Sequence, residues 1–248
     1  MMISDSIARQ GSWLFRRRSY VILGFAPIFL FVATQPEPIE MHFGALADSL
    51  YESACILLAF AGLAIRAATV GFVPAGTSGR NTQRQIAETL NTTGLYSLTR
   101  NPLYFGNAVT MTAIALFSQD VFVVLLMLLF QVVYHERIIA TEERFLGEKF
   151  GHRYADWAAR VPAFFPRLTG WVPPALPFSL KNVLRREYSS FFAIVAIFFT
   201  LDQVREVLAE RHTAIDPAWL AALTGGAAVY VGLRWLKKRT KLLKVVGR

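Results

Sequence analysis

Three stretches of this chain hold side chains whose types and spacing suit chemistry. The first is Gly94-Leu95-Tyr96-Ser97-Leu98-Thr99-Arg100-Asn101-Pro102-Leu103-Tyr104-Phe105-Gly106. Pro102 turns Asn101 away from helical geometry and can open a helix at its own position. Arg100 and Asn101 then sit at the mouth of that helix, where free backbone N–H groups gather. A carboxylate or the polar edge of a cofactor can bind there. Taken alone, the same residues also suit an interfacial helix start with an arginine turned to lipid headgroups. The second stretch is Glu142-Glu143, with His135 upstream. At helical spacing His135, Ile138/Ile139, Glu142 and Leu146 share one stripe, so His135 and Glu142 can face one cavity. An acid group there can hold an ammonium group or a ribose hydroxyl, and either side chain can take a proton. The pair equally suits a helix face turned to water. The third stretch is Phe150-Gly151-His152-Arg153-Tyr154, followed by Val161-Pro162-Ala163-Phe164-Phe165-Pro166.

Other chemistries lack their residues. No cluster of His, Cys and carboxylate has zinc-like spacing, so no metal is expected. The one cysteine, Cys55, lies in an apolar run and reads as a small buried hydrophobe. The segment Gly76-Thr77-Ser78-Gly79-Arg80-Asn81-Thr82 is glycine-rich. It lacks the Gly-Lys-Ser/Thr ending of a phosphate loop and reads as a connector.

The elements that must position these residues are membrane helices. Of 248 residues, 54% are hydrophobic and only 17% charged, against about 25% charged in soluble domains. Six apolar segments stand out: Tyr20–Thr34, Ser53–Val73, Leu103–Ser118, Val121–Tyr134, Tyr188–Leu201 and Pro217–Leu233. The third and fourth, separated only by Gln119-Asp120, read as a tight helical hairpin. Several segments are shorter than the ~20 residues of an upright span. The first follows Arg16-Arg17-Arg18 and lacks a small-residue cleavage pattern, so it reads as a retained span. The expected fold is therefore an all-α integral membrane protein with about six apolar helical segments. The expected organisation is membrane helices over 1–74, a core over 75–167, and a linker with a membrane hairpin and basic tail over 168–248.

Charge sets the orientation. The net charge is +9, from 26 Lys+Arg against 17 Asp+Glu. The basic residues flank apolar segments, so anionic headgroups rather than nucleic acid are the expected partners. They concentrate in the N-terminal segment, in the loops after the second and fourth spans, and in the C-terminal tail. Gln35–Glu52 carries no Lys or Arg. Both termini and the large loops are expected in the cytosol. Prolines 162, 166, 173, 174 and 177 make Val161–Pro177 extended rather than helical.

In order and spacing, these features resemble the isoprenylcysteine carboxyl methyltransferase and phospholipid methyltransferase superfamily. The shared pattern runs Gly-x-Tyr-x-x-x-Arg-(His/Asn)-Pro-x-Tyr-x-Gly, an apolar hairpin, Glu-Glu, Gly-x-x-Tyr and Val-Pro-x-x-x-Pro. It covers Asn81 to Arg167, roughly a third of the chain. The resemblance implies S-adenosylmethionine as cofactor, a cytosolic pocket, and a membrane lipid or lipidated acceptor. It places Arg100, Asn101, Pro102, Leu103 and Tyr104 on the cofactor, with Asn101 where the family has histidine. Tyr96, the segment Glu88, Thr89, Leu90 and Asn91, the Glu142–Glu143 pair and, more distantly, Asn81 complete that set. Ile138 stands where the isoprenylcysteine enzymes place a substrate-binding arginine. Arg100, His135 and Glu142 are the catalytic candidates.

Methyl transfer from a sulfonium needs alignment and a dry cavity more than it needs a metal. A carboxylate or phosphate acceptor needs no base. An amine or thiol must lose a proton, which suits Glu142 or His135. Two other readings remain at this level. Membrane sterol reductases using NADPH look similar near an arginine-histidine, but they continue Asn-Tyr-x-Gly-Asp where this chain has Leu103-Tyr104-Phe105-Gly106-Asn107. A non-catalytic membrane protein is the other.

Overall fold

The longest apolar runs become the longest helices. The computed structural model describes residues 3–74, 76–77, 87–210, 215–245 and 247. Its elements are α1 (Ile3–Val21), α2 (Ala26–Val32), α3 (Pro38–Phe43), α4 (Ala45–Phe72), α5 (Pro102–Phe117), α6 (Val121–Phe150), α7 (His152–Ala158), α8 (Leu180–Arg205) and α9 (Pro217–Arg239). Short 3-10 turns cover Ile22–Phe25 and Gly94–Ser97, and α8 runs on into a π-helical turn at Glu206–Glu210. Among the described residues there is no strand.

Two helices, α4 and α6, are long and apolar enough to cross a bilayer; Ile22–Val32 and Pro102–Phe117 are apolar but shorter. On α6 the outward stripe Phe122, Leu125, Leu129 and Val132 is solvent-exposed, with Phe122 at 78% and Val132 at 66%. Leu46, Leu50 and Leu57 on α4 are exposed as well. Continuous apolar faces of this kind are costly in water and natural in lipid. This all-helical, membrane-type architecture agrees with the sequence reading, but six full spans do not emerge from it. The first apolar segment breaks at Ile22–Phe25, where Gly24 weakens the helix and Pro27 withholds a backbone donor early in α2. At 16 residues, α5 reaches only ~24 Å at 1.5 Å per residue, short of the ~30 Å hydrocarbon core.

The hairpin forms as expected. Ser118, Gln119 and Asp120 make the turn, with Gln119 at φ 57° and Asp120 capping α6 through Val123 N at 2.9 Å. Beyond its apolar part, α6 continues unbroken past Glu142-Glu143 to Phe150, so one rigid rod carries both the membrane segment and the acidic pair.

Close packing of α4 on α5 depends on glycine. A Cβ on Gly62 would lie 2.5 Å from the Gly106 carbonyl oxygen, and one on Gly106 would lie 2.7 Å from that of Gly62. The core between α4, α5 and α8 holds Cys55, Ala59, Ala113, Phe117, Ile194 and Phe198. Two ionic ties cross this layer. Arg66 of α4 binds Glu187 of α8 twice, at 3.0 and 2.8 Å, and Asn107 of α5 at 2.8 Å. At the other end, Arg205 is buried, bonded to Glu37, to Glu52 at 2.9 Å and to the Phe117 carbonyl at 2.7 Å.

Candidate functional site

Pro102 opens α5, and Asn101 before it is held at φ −127° and ψ 55°. The chain leading into this start would be loose if left alone. It is instead strapped by the extended segment that follows α7. Arg100 N donates to Pro162 O at 2.9 Å, Thr99 Oγ1 to Phe164 O at 2.8 Å, and Asn101 Nδ2 to Ala163 O at 2.8 Å. Further along, Arg167 N donates to Leu98 O at 3.0 Å and Gly94 N to Val172 O at 2.8 Å. Arg167 also sends its guanidinium to Ser97 O. The prolines that prevent a helix over 161–177 thus leave its backbone groups available to pair with the segment 94–101.

Arg100 ties three elements together. Its Nε and Nη2 reach Glu143 Oε1 on α6 at 2.9 and 2.6 Å, and its Nη1 reaches the carbonyls of Ala158 and Val161 at 2.7 and 2.8 Å. These four bonds fix the mouth of α5 against α6 and the end of α7. The next acidic residue, Glu142, accepts from Tyr104 Oη at 2.8 Å. Tyr104 lies one turn into α5, so the two members of the Glu-Glu pair hold two successive parts of the same motif.

His135 faces this place from α6. It is buried, and its Nδ1 lies 3.0 Å from Gln131 O. With Nδ1–H donating to that carbonyl, Nε2 becomes the acceptor nitrogen. Nε2 is buried and has no hydrogen-bond partner among the described residues. Aromatic rings surround the imidazole: Tyr134 and Phe164 at 5.2 Å and Tyr104 at 5.8 Å between centroids. Phe164 comes from the strap, which therefore walls the site as well as pinning it. His135 and Glu142 both reach Tyr104, as their shared helical stripe implies.

The remaining sequence candidates occupy the flanks. Leu90 and Tyr96 pack on Tyr154, Trp157 and Val161. Burial beside Glu143 pushes the Tyr154 phenol well above its ordinary range. Glu88 and Thr89 are exposed, Asn91 and Leu103 half-buried, and Pro102 buried. Glu88 N donates to Gly76 O at 3.1 Å. Asn81 lies outside the described residues. Ile138 is fully buried among Phe15 and Tyr134. The sequence singles out Thr99 and the Val161–Pro166 stretch, but not that the two segments bond to each other, nor that Arg66 pairs with Glu187. A lone charge inside an apolar run, as at Arg66, is the one signal that could have announced such a partner.

A second polar cluster lies at the opposite end of the bundle. Carboxylate oxygens of Glu37, Asp48 and Glu52 come within 4.8 Å of one another. Arg205 already bonds two of the three, so a cation of the protein's own occupies the cluster. Burial pushes the Glu37 carboxyl up to about 7, against the pull of Arg205 and with Asp48 adding to the rise.

The chain is 35% identical over 116 residues to the cobalt-zinc-cadmium resistance protein CzcN of Cupriavidus metallidurans, covering 46% of this chain and 51% of that protein. It is 31% identical over 115 residues to the nickel-cobalt-cadmium resistance protein NccN of Alcaligenes xylosoxydans xylosoxydans, with the same coverage of 46% and 51%. The chain thus spans about half the length of the curated relatives it matches. No solved structure matches it significantly. The sequence model described as phospholipid methyltransferase matches residues 51–153, which take in most of α4, the arginine-asparagine-proline motif, the hairpin and the Glu-Glu pair. Residues 51–153 thus match the phospholipid methyltransferase family, of the superfamily that also holds the isoprenylcysteine carboxyl methyltransferases.

Proposed function

We propose that the protein is an S-adenosylmethionine-dependent methyltransferase acting on a lipid or lipid-linked acceptor at the cytosolic face of a membrane. The observation that carries this reading is the convergence of Tyr104, Glu142 and the unpartnered His135 Nε2, all within the matched domain. When bound, S-adenosylmethionine supplies an activated methyl group on a sulfonium.

The residues present suit such a group. Glu142 is a carboxylate able to accept from ribose hydroxyls or an ammonium, and Tyr104 holds it in one orientation. Arg100 and Glu143 position the α5 mouth, and Asn101, Pro102 and Leu103 form it. Leu90 and Tyr96 border it through the Tyr154–Trp157 cluster, with Glu88, Thr89 and Asn91 on the same segment and Asn81 upstream. The aromatic wall of Tyr104, Tyr134 and Phe164 keeps water from His135. The buried Nε2 is suited to accept a hydrogen bond from an N–H, O–H or S–H group of an acceptor. Ile138, apolar and buried, offers nothing to an acceptor carboxylate.

The basic residues flanking the apolar helices support a cytosolic site and a multi-pass path, and they favour anionic headgroups as neighbours. The relatives' names suggest a physiological setting, methyl transfer during exposure to cobalt, zinc, cadmium or nickel. Calorimetry of the purified protein in a lipid-like detergent tests the proposal. Binding of S-adenosylmethionine in preference to NADPH supports it; absence of binding refutes it.

A further inference from the structure

We infer that the start of α8, from Ser179 to Glu187, positions the segment Glu88–Asn91, so that the C-terminal region is a working part of the site as well as a membrane element. The inference rests on the methyltransferase reading for its cofactor readout and on nothing beyond the structure for its geometry. Residues 179–187 lie beyond the matched domain, which ends at residue 153.

A helix leaves its last carbonyls without partners inside itself. At the end of α4 two of these are taken by α8 and the residue before it. Asn182, which is buried, donates through Nδ2 to Val70 O at 2.6 Å, and Ser179 N donates to Gly71 O at 2.9 Å. The approach is close enough to require glycine at 71, where a Cβ would fall 2.2 Å from the Phe178 ring. Phe178 in turn crosses Phe72 edge-on at 5.2 Å. Glu187 locks the register by its double bond to Arg66.

From here a short chain of contacts leads to the site. Arg186 Nη1 donates to Thr77 O at 3.4 Å, and Thr77 is itself buried, its hydroxyl turned back to Pro74 O at 2.9 Å. Its neighbour Gly76, at φ 67°, accepts from Glu88 N. A Cβ on Gly76 would fall 2.2 Å from the Glu88 carboxyl carbon, so this side chain lies directly on the glycine. The α4 exit and the entry to Glu88–Asn91 are thereby both set by α8. Asn182 and Arg186 are positioning residues.

The test uses the full chain in detergent with Asn182→Ala and Arg186→Gln, the second on a partly exposed side chain. Two quantities are read: hydrogen exchange of the backbone amides 87–91, and the Kd for S-adenosylmethionine beside kcat at saturating cofactor. Asn182→Ala is expected to speed exchange at 87–91 and raise Kd about tenfold, the effect of one buried hydrogen bond, with kcat little changed. Arg186→Gln is expected to shift both in the same direction by less. If Asn182→Ala does not fold, Arg186→Gln decides. A lowered melting temperature with exchange at 87–91 and Kd both unchanged overturns the inference. If the wild-type protein binds no S-adenosylmethionine, the methyltransferase reading fails, and exchange at 87–91 still decides the positioning role.

Discussion

Replacing Tyr104 by phenylalanine removes one hydroxyl and leaves the rest of the site in place. The ring still packs 5.8 Å from His135, and α5 keeps its helix-forming sequence. What is lost is the 2.8 Å bond to Glu142. A hydrogen bond to a charged acceptor is worth ~1.5–3 kcal/mol. Glu142 is only half-buried, so water compensates in part and the lower end applies. About 1.5 kcal/mol corresponds to roughly a tenfold loss. The assay is transfer of a labelled methyl group, with kcat/KM for S-adenosylmethionine compared between wild type and Tyr104→Phe. Adding Glu142→Gln closes a double-mutant cycle, and the double variant is expected to be little worse than the Glu142 variant alone. A Tyr104→Phe protein with unchanged kcat/KM, or fully additive losses in the cycle, would refute the assignment of this pair to the site.

Other outcomes follow from the packing. Arg66→Ala takes the 2.8 Å ion pair from the buried Glu187 and is expected to cost ~3–5 kcal/mol, seen as a large drop in melting temperature; Arg66→Met with Glu187→Leu is expected to cost less, because an apolar pair carries no buried charge. Gly62→Ala drives a Cβ to 2.5 Å from the Gly106 carbonyl oxygen and is expected to destabilise by ~1–3 kcal/mol through overpacking, measured by thermal unfolding in detergent. Glu37 binds its proton more tightly when folded, at about 7 against an ordinary 4.5, so its contribution is complete below about pH 4.5 and is lost as pH rises through 7. Thermal stability is expected to fall between pH 5 and 8, and Glu37→Gln to flatten that slope; an unchanged slope contradicts the burial argument.

Helices, hairpin and motif order were legible because they rest on local signals. Apolar runs, the Pro102 start and the Gln119-Asp120 turn need no distant partner. The shared stripe of His135 and Glu142 follows from helical spacing alone. Boundaries were less legible where polar residues extend an apolar run, as when α6 continues through Arg137 and Glu142 to Phe150. The first apolar segment looked continuous, yet Gly24 and Pro27 interrupt it. Least legible were contacts made across long sequence gaps. Arg100 finds its carbonyl partners at Ala158 and Val161, Thr99 finds Phe164, and Arg205 finds Glu37 and Glu52. Each depends on how the helices come together, which no local pattern encodes. The extended run over 161–177 is legible from its prolines, and Val161–Pro166 from its motif; that Phe164 packs against His135 appears only in the structure.

The most direct test of the central claim is to incubate the purified protein, in bilayers made from cell lipid extract, with methyl-labelled S-adenosylmethionine and identify every labelled species by mass spectrometry. The account predicts label in a lipid-extractable acceptor, reduced about tenfold by Tyr104→Phe and further by Glu142→Ala. Absence of label from every lipid and lipidated species, with no S-adenosylmethionine bound, would contradict it.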